Sequence, residues 1–179
     1  GQLGRMLAMA AARLGFHIHV YEPGENPPAG EVAAKTYTAS YDDTEALEAF
    51  AQGVDIVTYE FENVPAQALD RIEALTSFQP NRRALSVSQD RLEEKQFLND
   101  IGLKTAPYAA VDTQAPDAAA LMAQAIAHIG TPSILKTRRL GYDGKGQSRL
   151  NTPNDAAAAL DAMAGAEAIL EGFVDFERE

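Results

Sequence analysis

Apolar residues follow two different spacings in the first half of the chain. The first spacing is helical and ends at Gly15, with apolar side chains every three or four positions: Leu3, Met6, Leu7, Ala10 and Leu14. The next apolar residues, Phe16, Ile18 and Val20, alternate with histidines as they do in a β-strand. A helix over 44–51, a strand over 54–58 and a helix after Pro65 continue the series. This alternation predicts an α/β fold with a parallel sheet covered by helices.

The second half predicts a different order of elements, and we place a domain boundary near residues 80–90. The expected domains are 1–85, with a parallel sheet covered by helices, and 86–179, which is built differently. The second domain is expected to contain helices and strands over 90–101, 108–111, 117–129, 133–136, 154–164 and 168–171.

Both ends of the chain interrupt a pattern. The Gly-x-x-Gly loop of Gly1 and Gly4 is of a type that normally follows a buried strand, and no residues precede it. Residues 171–179 also stop within a patterned run. We therefore expect the chain to be a fragment of a longer protein, truncated at its C-terminal side.

Composition narrows the possible functions. The chain has 179 residues, a formal net charge of −11 and no Cys, which excludes a disulfide scaffold, a Cys-ligated zinc site and a Cys nucleophile. It fits a reducing compartment, so we expect a cytoplasmic protein. The longest apolar run, Met6–Ala12, is far shorter than the ~20 residues of a membrane helix. The acidity argues against sequence-independent nucleic-acid binding but not against a nucleotide ligand.

Two polar features are predicted at the carboxyl edge of the parallel sheet, where open α/β sheets bind ligands. Gly1 and Gly4, followed by Glu22 at a strand end, could form part of a dinucleotide-binding loop, or only a tight strand–helix turn. Glu60 and Glu62 follow a strand that we expect to be central. They could accept hydrogen bonds from ligand amines or hydroxyls, or they could lie in a solvated turn.

The segment from Lys136 to Gln147 carries the strongest chemical signal. Three glycines lie within six residues, and their N–H groups could surround phosphate oxygens. Lys136 precedes them at a strand end, and Arg138, Arg139 and Lys145 make the segment basic. The alternative is a flexible hairpin with incidental charges. Farther on, the strand end at 171–174 could read the edge of an adenine or be an ordinary strand end, and the three His residues predict no metal site.

Five motifs together resemble the ATP-grasp family, and within it the N5-carboxyaminoimidazole ribonucleotide synthases of purine biosynthesis. The motifs cover the whole chain in order: Gly-Gln-Leu-Gly-Arg-Met (1–6), Tyr-Glu-Phe-Glu-Asn-Val-Pro (59–65), Gln-Asp-Arg (89–91), the run from Leu135 to Gln147, and the run from Glu171 to Glu179. The resemblance implies a pre-ATP-grasp domain with a Rossmann-like parallel sheet, over 1–85, followed by an incomplete α+β ATP-grasp module, over 86–179. It also implies a ligase that uses ATP and magnesium to join bicarbonate to 5-aminoimidazole ribonucleotide through carboxyphosphate.

The resemblance also implies roles for individual residues. Lys136 and Asp143 would be catalytic. ATP would contact Arg91, Lys136, Gly141, Tyr142, Asp143, Gly144, Lys145, Gly146, Gln147, Glu171, Gly172, Phe173, Val174 and Glu179. The ribonucleotide would contact Gln2, Leu3, Glu60, Tyr142, Asp143 and Lys145.

The resemblance leaves the metal without ligands in this chain, because the family's magnesium ligands lie in a later region. It implies a homodimeric enzyme that acts on small molecules, and we expect the 179 residues alone to be inactive. Two alternatives stay open. One is another ATP-grasp ligase, such as the formate-dependent glycinamide ribonucleotide transformylase, which Gln2 disfavours because that enzyme carries Glu there. The other is an NAD-binding dehydrogenase or a non-catalytic nucleotide-binding module.

Overall fold

Helices and strands alternate along the computed structural model, which describes residues 1–141 and 144–178. The first half contains α1 (Gln2–Arg13), β1 (His19–Tyr21), β2 (Lys35–Tyr37), α2 (Thr44–Gln52), β3 (Ile56–Val57), α3 (Ala66–Glu73), β4 (Ser77–Phe78) and α4 (Arg82–Ser88). The second contains α5 (Arg91–Asp100), β5 (Tyr108–Val111), α6 (Ala118–Ile129), β6 (Ser133–Thr137), β7 (Gln147–Leu150), α7 (Ala156–Ala162) and β8 (Ala168–Gly172). The chain forms two compact units, Gly1–Ser86 and Val87–Glu179.

All strand pairs described in the first unit are parallel. β1 pairs with β2, with Val20 opposite Thr36, and β3 pairs with β4, with Val57 opposite Phe78. The connection from β3 to β4 contains α3, the helix expected after Pro65, as parallel neighbours need a crossover. The connection from β1 to β2 contains only a short 3-10 turn, Gly30–Val32. The prediction of parallel pairing with covering helices is confirmed.

The first unit differs from the expected single sheet, because its strands form two separate ladders. β1 and β3 each bond to one neighbour, and both line one groove of about 1080 Å³ together with α1. Several apolar side chains around this groove are exposed, among them Leu7, Phe16 and Ile56. The sequence analysis expected β3 to be a central strand. Among the described residues this expectation is wrong.

The core of the first unit lies between α2, α3 and the β3–β4 ladder. Leu47, Phe50, Leu69 and Phe78 are buried in this cluster. The Asp43 side chain accepts a hydrogen bond from the Ala46 N–H at 3.0 Å and so begins α2. This packing anchors the strand ends that carry the candidate ligand-binding residues.

The second unit contains a four-stranded antiparallel sheet in the order β5-β8-β6-β7. The central strand β8 bonds to β5 on one side and β6 on the other. Side chains alternate between the two faces of such a sheet. Leu135 and Leu170 pack with Met122 of α6 on one face, so Lys136 and Glu171 project from the other face.

Three elements of the structure were not expected from the sequence. Strands β2 and β4 are short and lack a run of apolar residues, and α4 spans residues that we expected to hold a domain boundary. Whether a short edge strand forms depends on the strand that it pairs with, because its own sequence carries little periodicity. No helix among the described residues is long and apolar enough to cross a membrane.

Candidate functional site

The glycine-rich segment joins two adjacent antiparallel strands. β6 ends at Thr137 and β7 begins at Gln147, so residues 138–146 form the connection of a hairpin. Lys136 lies on β6 directly opposite Gln147. The structure thus confirms a hairpin and also places Lys136 and Gln147 together at its base.

Lys136 pairs with a buried carboxylate. Its Nζ donates to the Glu171 Oε2 at 2.9 Å, and the Lys95 Nζ lies 3.6 Å from the same oxygen. The Glu171 side chain is only 10% exposed, and those of Lys95 and Lys136 are 16% and 25% exposed. One carboxylate is therefore shared by two ammonium groups, which leaves a net positive charge on this face of the sheet.

Arg91 braces the base of the hairpin. Its guanidinium donates to the backbone oxygen of Thr137 at 2.9 Å and to that of Gly141 at 2.6 Å. The Arg91 N–H also donates to the Arg138 oxygen at 2.9 Å. In the structure Arg91 thus contacts the hairpin backbone, and the phosphate contact expected for it stays a prediction.

The sequence analysis counted Arg138 among the residues that make this segment basic. In the structure, however, its charge is not free for an anion. Its Nε and Nη2 donate to the two carboxylate oxygens of Asp90 at 3.0 and 2.7 Å, and its Nη1 lies 3.5 Å from Glu167. Buried charges need partners, and here a carboxylate 48 residues away supplies one. Arg139 likewise donates to the Gln89 Oε1 at 3.0 Å.

Asp90 is a buried carboxylate that several hydrogen bonds hold in place. Burial raises the pKa of Asp90, but hydrogen bonds from the Arg138 side chain and the Leu92 N–H, together with the Arg138 charge, outweigh burial. The net result is an Asp90 pKa below the ordinary value. The hydrogen bond with the Asp90 carboxylate in turn raises the pKa of Arg138.

Two glycines of the hairpin are required by its geometry. Gly146 has a φ of +66°, and a β-carbon there would lie 2.7 Å from the Thr137 Oγ1. A β-carbon at Gly141 would lie 3.0 Å from the Lys145 backbone oxygen and 3.2 Å from the Arg91 Nη2. These glycines let the hairpin fold back onto Thr137 and Arg91, so a backbone reason exists for them besides phosphate contact.

The strand end at 171–174 is partly engaged by the protein's own backbone. The N–H groups of Gly172 and Phe173 donate to the oxygens of Pro107 and Pro132, at 2.8 and 3.2 Å. The Arg149 guanidinium lies over the Phe173 ring, 4.4 Å from its centroid. Two backbone N–H groups of the segment expected to contact adenine therefore already donate hydrogen bonds to the protein's own backbone.

In the first unit, Gln2 and Leu3 lie in the first turn of α1 and both are exposed. The Glu60 Oε2 faces this turn, since a β-carbon on Gly1 or Gly4 would lie 3.8 or 4.0 Å from it. β3 ends at Val57, so Glu60 and Glu62 lie beyond the strand and do not continue it. The structure does bring Glu60 to the start of α1, where the helix dipole favours a carboxylate.

Tyr41 joins this cluster without any signal in the sequence. Burial, the charge of Glu22, Tyr21 and the charge of Glu60 together raise the pKa of Tyr41 to about 12. Tyr41, Glu22 and Glu60 line the same groove as Gly1 and Gly4. This arrangement of two carboxylates and a neutral hydroxyl suits a ligand that donates hydrogen bonds.

Some expected residues cannot be placed. Tyr142, Asp143 and Glu179 lie outside the described residues. Gly144 and Lys145 are exposed in the hairpin connection. Lys95 was missed by the sequence analysis, although its position four residues after Arg91 places it on the same helix face and could have indicated it.

Known proteins similar to this chain match it over nearly all of its length. Residues 1–89 match the ribonucleotide synthetase preATP-grasp domain model, and residues 96–179 match the ATP-grasp domain model. The chain is therefore similar to ATP-grasp proteins in both halves, with the two matched domains in the expected order.

Within that class, its relatives are N5-carboxyaminoimidazole ribonucleotide synthases. The Brucella melitensis synthase is 51% identical over all of this chain and 49% of its own length. A crystal structure of an ADP complex of such a synthetase is 41% identical, with a TM-score of 0.90 over 99% of this chain and 46% of that one. An Aspergillus clavatus synthase in complex with ADP and 5-aminoimidazole ribonucleotide is 27% identical, with a TM-score of 0.85 over 99% and 45%. The chain spans about half the length of these relatives.

Proposed function

We propose that this chain takes part in the ATP-dependent carboxylation of 5-aminoimidazole ribonucleotide in purine biosynthesis. The observation that carries this proposal is the Lys136–Glu171 ion pair at the base of a glycine-rich hairpin. The fold around this pair is similar to that of a synthetase that was crystallised with ADP. We further propose that residues 1–85 serve the ribonucleotide and residues 86–179 the nucleotide.

On the nucleotide side, Lys136 and Arg91 contact the phosphates, and the loop that covers them includes Lys145, Gln147 and the amides of Gly141, Gly144 and Gly146. The segment Glu171–Val174 borders the adenine, and the Val174 N–H is the donor that we assign to it. Tyr142, Asp143 and Glu179 complete this proposal by resemblance alone.

The proposed reaction has two steps. A bicarbonate oxygen attacks the γ-phosphorus of ATP, so that ADP leaves and carboxyphosphate forms. The ribonucleotide amine then attacks the carboxyl carbon, phosphate leaves, and the amine loses a proton. Lys136 stabilises the charge on the transferring phosphoryl group, which is the usual contribution of a fixed cation to phosphoryl transfer.

On the substrate side, Gln2, Leu3 and Glu60 border the ribonucleotide at the start of α1. The exposed Glu60 carboxylate accepts hydrogen bonds from a substrate amine or hydroxyl. Tyr142, Asp143 and Lys145 are retained as further substrate contacts proposed by resemblance.

We infer that the enzyme uses Mg²⁺, is cytoplasmic and is a homodimer, as the resemblance implies and as the absence of Cys allows. Within residues 1–141 and 144–178, no three His, Asp or Glu side chains come together as a metal-binding group. The described residues therefore do not fit a complete metal site, and no step is assigned to the ion.

The test is ADP formation by the full-length protein, with Lys136→Met as the matched variant. ADP should form only when the ribonucleotide and bicarbonate are both present, and Lys136→Met should abolish it. ADP formation that requires formate in place of bicarbonate would instead support the transformylase reaction. Binding of NAD without binding of ATP would support the dehydrogenase alternative.

A further inference from the structure

The two ammonium groups on Glu171 come from different elements. Lys136 lies on β6, whereas Lys95 lies on α5, one turn after the Arg91 that braces the hairpin. Tyr108 of β5 lies directly opposite Glu171 in the ladder, and the Lys95 Nζ is 5.9 Å from its ring centroid. Lys95, Lys136 and Tyr108 are thus charged or titratable neighbours of Glu171, and Arg149 lies two strands away on the same face.

The two lysines differ in how they hold the carboxylate. Lys136 makes the shorter contact, 2.9 Å, and is the more exposed of the two. Lys95 is 3.6 Å away and less exposed, on a helix that also holds the hairpin base. If Lys136 turns to an incoming phosphate, Glu171 retains Lys95 as its partner.

Without Lys95, that movement would be costly. Glu171 would be left as an unpaired carboxylate in a largely buried position, next to a polyphosphate of like charge. The backbone that follows Glu171 is the segment assigned above to adenine.

We propose that Lys95 is a positioning residue of the nucleotide site, which keeps Glu171 paired and in place while Lys136 turns to the phosphates. This inference rests on the proposed function, because it takes ATP as the ligand. It assigns Lys95 a role that depends on the phosphates and not on the nucleoside.

The experiment compares full-length wild type, Lys95→Met and Lys95→Arg, with Lys104→Met as an exposed control on the same unit. ATP and ADP binding are measured by calorimetry, and adenosine binding by competition. Lys95→Met should weaken ATP and ADP binding about tenfold, a change of ~1.4 kcal/mol. Lys95→Arg and Lys104→Met should behave as wild type.

Adenosine has no phosphate to attract Lys136, so its affinity should be the same in wild type and Lys95→Met. In a Glu171→Gln background no carboxylate needs a partner, so adding Lys95→Met should cause no further loss. The proposal is overturned if Lys95→Met binds ATP as wild type does, if adenosine binding falls equally, or if the loss persists in the Glu171→Gln background. Failure of wild type itself to bind ATP would instead overturn the proposed function.

Discussion

The two units hold their candidate ligand-binding residues in different ways. In the second unit the central strand β8 is bonded on both sides, and its Glu171 is buried and paired with two lysines. In the first unit each described strand is bonded on one side, and Glu60 is exposed after a strand end. A charge enclosed by partners contributes to folding, whereas an exposed one is available to a ligand. We therefore expect charge substitutions to affect stability in the second unit and binding in the first.

The largest expected effect compares two helix-capping aspartates. Asp90 caps α5 and also pairs with Arg138, whereas Asp43 only caps α2. Asp90→Ala should lower the free energy of unfolding of the second unit by about 2–4 kcal/mol, the cost of breaking a buried pair reduced for the partial exposure of Arg138. Asp43→Ala should cost the first unit only ~1 kcal/mol.

Hydrogen exchange, followed separately in peptides of each unit, measures both losses. Acid adds a second check. Because the Asp90 pKa is lowered on folding, its contribution is fully present above the ordinary value of 3.8 and is lost as the pH falls through the folded pKa. The difference between wild type and Asp90→Asn should therefore shrink below about pH 3.8. Equal losses for Asp90→Ala and Asp43→Ala would contradict the comparison.

On the first unit, Glu60→Gln should affect binding and leave stability unchanged. The substitution keeps the shape but removes a charge-assisted hydrogen bond of about 1.5–3 kcal/mol. The ribonucleotide's dissociation constant should rise about ten- to hundredfold, and ATP affinity should hardly move. Calorimetric titration of the full-length protein with each ligand measures this, with the exposed neighbour Glu62→Gln as control. A fall in ATP affinity alone would reverse the assignment of the two units.

A smaller effect is expected from the hairpin glycines. Gly146→Ala and Gly144→Ala both place a β-carbon on a backbone with positive φ, which costs about 1–2 kcal/mol. Only at Gly146 would that carbon also lie 2.7 Å from the Thr137 Oγ1, against 3.5 Å from the Gln147 Nε2 at Gly144. Gly146→Ala should therefore be the more destabilising in thermal unfolding. Equal effects would show that the hairpin does not fold back onto Thr137.

The smallest effect concerns the groove of the first unit. The Tyr41 pKa of about 12 owes more to Glu22 than to Glu60. Glu22→Gln should lower the Tyr41 pKa more than Glu60→Gln does, because each removes a negative charge that disfavours the phenolate. Ultraviolet titration of tyrosine, with Tyr41→Phe used to identify the signal, measures both shifts. No shift in either variant would place both carboxylates away from Tyr41.

Helix and strand spacing was readable in the sequence wherever an element buries one regular face. Examples are α6, predicted over 117–129 and found over Ala118–Ile129, and β5, found at its predicted residues. The glycines and the basic residues around Lys136 were equally visible, because backbone freedom and charge are properties of residue types.

Only the tertiary structure decided which charges meet. Arg138 with Asp90, and Glu171 with both Lys95 and Lys136, join residues 35 to 76 positions apart, brought together by strand order and register. The tertiary structure likewise decided that the parallel strands form two separate ladders, because this depends on which strand edges pair with each other. Local sequence reports how each segment folds, but pairing between distant segments depends on a sheet order that no local pattern encodes.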